Sequence, residues 1–134
     1  MDKLKVLLAD DEPDVVEMMA KKVAEAGYAT VIAYDGEDAL RKIKSELPDI
    51  VLLDINMPHM SGFDVLRSLR TAPPQEKWIP VVIVSARGEL PDMQKGFELE
   101  ADHYLTKPCG MEDILKAIRL MSALIPSHKS KHEI

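Results

Sequence analysis

The stretch VLLADDEPD, residues 6–14, runs from an apolar tract straight into four acids within five positions. Asp10, Asp11, Glu12 and Asp14 repel one another. Carboxylates held close in a folded chain take raised pKa values unless something cationic joins them. The motif therefore reads as a buried strand that ends on a candidate cation site.

The chain repeats that opening in outline. KVLLA (5–9), TVIAY (30–34), DIVLLD (49–54) and PVVIVSA (80–86) are short and rich in β-branched residues or leucine, and DHYLT (102–106) is a weaker fifth. Their near-continuous apolar character predicts strands buried on both faces. Helical patterns separate them. Val15, Met18, Met19, Val23 and Ala26 recur after Pro13, and Gly27 supplies a stop. Ala39, Leu40, Ile43 and Leu47 follow Asp35, an N-cap residue, and Pro48 comes after their end. Phe63, Val65, Leu66 and Leu69 predict a third helix; Leu90, Met93 and Phe97, with Gly96 among them, predict a fourth. Ile114, Leu115, Ile118, Met121 and Ile125 mark a longer last helix, which Pro126 is expected to close. The segment TAPPQEKW (71–78) reads as a plain connection.

Composition agrees with one domain. The 134 residues can bury a real core, and 46% hydrophobic with 30% charged residues describes a globular chain. A net charge of -6 argues against a basic nucleic-acid-binding face. The single Cys109 forms no internal disulfide, which fits a reducing, cytoplasmic location. The first residues do not form a signal peptide, and no apolar run reaches the roughly 18 residues of a membrane helix. No membrane partner is expected.

Five strands alternating with five helices imply an α/β fold, (βα)5, with a doubly wound five-stranded parallel sheet. Ligands in such sheets collect beyond the carboxyl ends of the strands. Asp10 and Asp11 follow the first strand, Asp54 ends the third, Ser85 ends the fourth and Lys107 follows the fifth. In the flavodoxin-like order 2-1-3-4-5 the first and third strands are neighbours, so three acids converge. Clustered carboxylates make a hard-oxygen site suited to Mg²⁺, or to Mn²⁺. A carboxylate can attack phosphorus, and Lys107 with Ser85 can neutralise and orient the transferred group.

The pieces LLADDEPD, DIVLLDINMPHMSGFDVL, IPVVIVSA and ADHYLTKP, in that order, resemble the receiver domain of two-component response regulators over roughly residues 3–125. The expected division is a receiver domain over 1–125 and a polar tail or linker start over 126–134. The resemblance implies that Asp54 accepts a phosphoryl group from a sensor histidine kinase or a histidine phosphotransfer protein. It implies that Asp11 and Asp54 bind Mg²⁺ directly, with the Asn56 backbone carbonyl, and that Asp10 acts through a metal-bound water. Ser85 and Lys107 would hold the phosphoryl oxygens, Tyr104 would turn inward as Ser85 is drawn to the phosphate, and the bond before Pro108 would be cis. The output would be a changed surface on the fourth helix, fifth strand and fifth helix, used by a partner or a second copy, with no direct nucleic-acid contact. The chain would be a signalling switch that promotes only its own phosphotransfer and dephosphorylation, not an enzyme acting on other substrates.

Departures from the pattern are few. Ser61 precedes Gly62 where Asp is common, Glu100 replaces a frequent Gly, which implies a different backbone at that turn, and Cys109 stands where a large apolar residue is usual. Asn56 and Arg87 occupy positions that in the family modulate the lifetime of the aspartyl phosphate. His59 and His103 read as surface residues, and Met57, Met60 and Met111 as packing. Two alternatives stand beside this reading. A metal-dependent phosphohydrolase with an Asp nucleophile usually has a second acid at the position of Asn56, and a lid. A pseudo-receiver that only binds would lack part of the acid, Ser and Lys set.

Overall fold

A computed structural model describes residues 3–86 and 90–132, with side chains for all of these except 90–93 and 126–132. Its strands are β1 (Lys5–Ala9), β2 (Ala29–Ala33), β3 (Ile50–Leu53), β4 (Val81–Ser85) and β5 (His103–Thr106). The helices are α1 (Pro13–Glu25), α2 (Gly36–Glu46), α3 (Gly62–Thr71), α4 (Leu90–Glu98) and α5 (Met111–His132). The sheet order is β2-β1-β3-β4-β5, and every neighbouring pair is parallel.

Alternation along the strands divides the core in two. Leu7, Ala9, Val51, Leu53 and Ile83 meet Ile43 of α2 and Phe63, Leu66 and Leu69 of α3. Val6, Leu8, Ile50, Leu52 and Val84 meet Val16 and Val23 of α1 and Ile114 and Ile118 of α5. β1, β3 and β4 are buried on both faces as expected, except for Lys5 at the start of β1, but the edge strands β2 and β5 are mostly half-buried because fewer elements cover them.

Local chemistry sets the helix starts. Asp35 accepts a hydrogen bond from the Asp38 amide at 2.7 Å, and Ser61 accepts one from the Asp64 amide at 3.2 Å. Ser61 thus caps α3. The next residue is glycine in both cases, for a packing reason. A Cβ on Gly36 would fall 1.9 Å from the Met60 carbonyl oxygen, and one on Gly62 would fall 2.3 Å from that of Asp54.

Several expectations need correction. α1 buries Val16, Met19, Ala20 and Val23, whereas Met18 is 52% exposed: apolar doublets at 15–16 and 18–19 let the helix turn either member inward. Phe97 is 49% exposed, because Gly96 takes the inward position of α4 against Ile83 and Tyr104. Leu90 and Met93 have side chains outside the described residues. α5 does not close at Pro126 but runs to His132, so the expected tail begins as helix. A proline deprives a helix of one internal hydrogen bond, and here that loss does not end it. Glu100 does not change its turn. It adopts the left-handed conformation itself, at φ 68°, and closes α4 with bonds from the Glu100 amide to the Phe97 carbonyl and from the Ala101 amide to the Gly96 carbonyl. Residues 71–78 are more than a plain connection. Pro74–Glu76 form a 3₁₀ turn in which Gln75 and Glu76 are both left-handed, at φ 49° and 58°.

Candidate phosphoacceptor site

Register builds the site. Ala9 pairs with Leu53, and Leu53 with Ile83, so Asp10 and Asp54 leave adjacent strands at one level. Ser85 pairs with Thr106, which places Lys107 one residue beyond. The Asp54 amide donates to the Ala9 carbonyl and the Lys107 amide to the Ser85 carbonyl, extending the ladder past the strand ends.

The side chains converge as the sequence predicts. Lys107 Nζ lies 2.7 Å from Asp10 Oδ2 and 3.3 Å from Asp54 Oδ2. Asp10 is 3% and Asp54 7% exposed, while Lys107 reaches partly to solvent. The other oxygen of each acid takes a backbone donor, the Glu12 amide for Asp10 and the Asn56 amide for Asp54. Burial raises the Asp54 pKa, and the nearby Asp10 charge adds to it, against the opposing pull of Lys107 and the Asn56 amide. Burial opposes the charge of Lys107, but its hydrogen bond to Asp10 and the charges of Asp54 and Asp10 outweigh that, and its pKa rises. The repulsion implied by the opening motif is thus met by an ammonium from the far end of the sheet.

The acid cluster at the rim includes one residue outside the expected metal set. Carboxylate oxygens of Asp10, Asp11 and Glu12 come within 4.8 Å of one another, so Glu12 joins the acids while Asp54 is tied to the group through Lys107. Glu12 was legible as an acid of the opening motif, but nothing in its spacing distinguished it from Asp14. Two exposed carboxylates beside a buried one suit a hydrated hard cation.

Ser85 is fully buried. Because it pairs with Thr106 and Ile83 pairs with Tyr104, Ser85 and Tyr104 share one face of the sheet as diagonal neighbours. Tyr104 is 7% exposed, which corrects the expected outward position: its ring already packs in the core, beside Gly96. The Lys107–Pro108 bond is cis, as expected. Burial raises the Cys109 pKa, as does the charge of Asp113, which favours the unreactive thiol. Arg87 lies outside the described residues. His59 is exposed, with Nδ1 3.3 Å from Asp35 Oδ2.

Gly62 is the site residue that sequence reasoning undervalued. Its amide donates to the Ile55 carbonyl at 2.9 Å, and its bare Cα lets α3 rest on the Asp54 backbone. The signal was present as a capping residue, a glycine and an acid two residues later, in both DGED (35–38) and SGFD (61–64).

Comparison with known proteins identifies the family of the fold. The family model for the response regulator receiver domain matches residues 6–119. The chain belongs to the response regulator receiver domain family. It is 35% identical over 133 residues to the alkaline phosphatase synthesis transcriptional regulatory protein PhoP of Bacillus subtilis, covering 96% of this chain and 54% of that protein. It is 38% identical over 116 residues to the transcriptional regulatory protein KdpE of Mycobacterium tuberculosis, covering 85% and 49%. This receiver thus spans about half the length of those curated relatives. Among solved structures, the chemotaxis protein CheY4 of Vibrio cholerae superposes with a TM-score of 0.82 at 30% identity, over 89% of this chain and 98% of that one. The signal receiver domain of the response regulator NarL from Mycobacterium tuberculosis gives 0.80 at 32%, over 88% and 94%. Among the described residues of this receiver, no helix is long and apolar enough to cross a membrane.

Proposed function

We propose that this receiver accepts a phosphoryl group on Asp54 from a phosphohistidine of a sensor histidine kinase or histidine phosphotransfer protein. The observation that carries the reading is the single ammonium of Lys107, shared between Asp54 and the buried Asp10. A carboxylate oxygen of Asp54 forms the bond to phosphorus as the bond from phosphorus to the imidazole nitrogen breaks. Lys107 offsets charge on the phosphoryl oxygens, and the Ser85 hydroxyl at the neighbouring strand end donates to one of them. Asp10, Asp11 and Glu12, with Asp54 and the Asn56 carbonyl at the same rim, are the residues that would hold Mg²⁺ or Mn²⁺. The cation would supply charge neutralisation and alignment of the phosphoryl group.

The readout proposed for phosphorylation is the surface formed by α4, β5 and α5, offered to an output partner or a second copy. Tyr104 starts from an inward position, so the change there is a repacking around Gly96 and Ser85 rather than the entry of a ring from solvent. The receiver promotes only its own phosphorylation and dephosphorylation.

Incubation with acetyl phosphate and MgCl₂, read by intact mass, tests the reading. One labile phosphate, absent from Asp54→Asn, is the expected result. No adduct would indicate a binding module, and turnover of external phosphate without an adduct would indicate a phosphohydrolase.

A further inference from the structure

A cavity of about 410 Å³ lies away from the acidic rim, beyond the end of α3 and the start of β5. Leu69, Pro73 and Trp78 form its apolar wall. The polar wall holds three carboxylates, from Glu76, Glu100 and Asp102, and one guanidinium, from Arg70. That cation is already committed. Arg70 donates to the Glu100 carbonyl at 3.0 Å, the Ile79 carbonyl at 2.8 Å and Asp102 Oδ2 at 2.9 Å. Asp102 Oδ2 also accepts from the Val81 amide. The side chains of Glu76 and Glu100 make no hydrogen bond or ion pair among the described residues. The Arg70 guanidinium interacts with the charges of both Asp102 and Glu100, so three carboxylates, two of them exposed, face one guanidinium and the cavity keeps a net negative charge next to an indole.

The backbone around it is strained. Of the five non-glycine residues with positive φ among the described residues, three border this cavity or adjoin it in sequence: Gln75, Glu76 and Glu100. Left-handed non-glycine residues are disfavoured and persist where surrounding structure imposes them. Here they set Glu76 and Glu100 on the same cavity.

We infer that this cavity takes the cationic head and apolar stem of an arginine or lysine side chain presented by a partner protein. Trp78 and Pro73 fit the methylene stem, an indole attracts a cation over its face, and the Glu76 and Glu100 carboxylates complete the charge. An anion would meet two acids without a free cation, and a wholly apolar group would leave those acids desolvated.

Trp78 is the only tryptophan of the chain, so its fluorescence reports on this cavity alone. The probe is a doubly capped Gly-Arg-Gly tripeptide, with its citrulline counterpart at equal ionic strength as the neutral control. The expected result is a saturable change with the arginine peptide, at an apparent Kd on the order of 1 mM for a single contact, and none with citrulline. The double variant Glu76→Gln/Glu100→Gln, checked for an unchanged fold by circular dichroism, should weaken binding about tenfold or more. An equal response to citrulline, an unchanged affinity in the double variant, or no saturable response would overturn the proposal. A fluorescence change that follows protein concentration without peptide would assign the cavity to a second copy and overturn it as well. Phosphorylation of Asp54 does not enter any of these readouts.

Discussion

Lys107 stands closer to Asp10 than to Asp54, at 2.7 Å against 3.3 Å. The ammonium is therefore anchored by the acid that is not proposed to react, and is held ready beside the one that is. Removing it strands the buried Asp10 without a counter-charge. Lys107→Met should cost about 2 kcal/mol at neutral pH, measured by urea denaturation, and should also abolish phosphorylation. The folded-state pKa of Lys107 is raised, so its stabilisation is full below the unfolded value and is lost as pH rises through the folded one. The stability gap between parent and variant should hold through neutral pH and close only in strong alkali.

Asp54 behaves in the opposite sense at neutral pH. Its folded pKa is also raised, but for an acid this means that the ionised folded form is disfavoured. The associated stabilisation is present below the unfolded pKa and is lost as pH rises through the raised folded value. Asp54→Asn should therefore melt at a higher temperature than the parent at neutral pH without added metal. The advantage should shrink as pH falls through the titration of Asp54. A variant less stable than the parent at neutral pH would contradict the electrostatic account of the site.

Glycine 62 makes a stronger demand than a turn preference. Gly62→Ala would place its Cβ 2.3 Å from the Asp54 carbonyl oxygen, which is backbone and cannot rotate away. The expected cost is about 3 kcal/mol in chemical denaturation, with slower phosphorylation by acetyl phosphate because the Asp54 backbone must shift. Gly27→Ala is the control: it has a positive φ of 106° but open space around it, so it should show the conformational cost without the loss of phosphorylation rate.

The acid cluster predicts a metal dependence. Asp11→Ala should lose most of the rise in melting temperature that MgCl₂ gives the parent, and Glu12→Ala should lose a smaller part. Equal Mg²⁺ shifts in the parent and both variants would remove Asp11 and Glu12 from the site.

Glu100→Gly should stabilise the domain by about 1 kcal/mol, because glycine adopts a φ of 68° without the Cβ penalty. The Arg70 bond to the residue 100 carbonyl is a backbone contact and survives the change. Thermal melts of parent and variant decide it.

The sheet and its polar rim were legible because both follow from simple periodicity: apolar runs marked five strands, and polar residues after those runs fell on one edge. What stayed hidden has three physical sources. Apolar doublets such as Val15–Val16 and Met18–Met19 leave helix rotation open until the partner surface is known. Gly96 was visible, but its use as the inward contact of α4, which turns Phe97 outward and meets the ring of Tyr104, depends on packing distances that no pattern carries. The hub around Arg70 joins residues 70, 79, 81, 100 and 102, and a lone arginine near a helix end gives no sign of such partners.

The ion pair between Lys107 and Asp10 spans 97 positions of the chain. During synthesis, the acids at 10, 11 and 54 are all translated well before their counter-charge. The neutralising ammonium therefore arrives last, and with it the geometry that phosphoryl transfer requires. Until β5 has docked, the acids of the rim lack their ammonium, so the charge balance of the site depends on completion of the sheet.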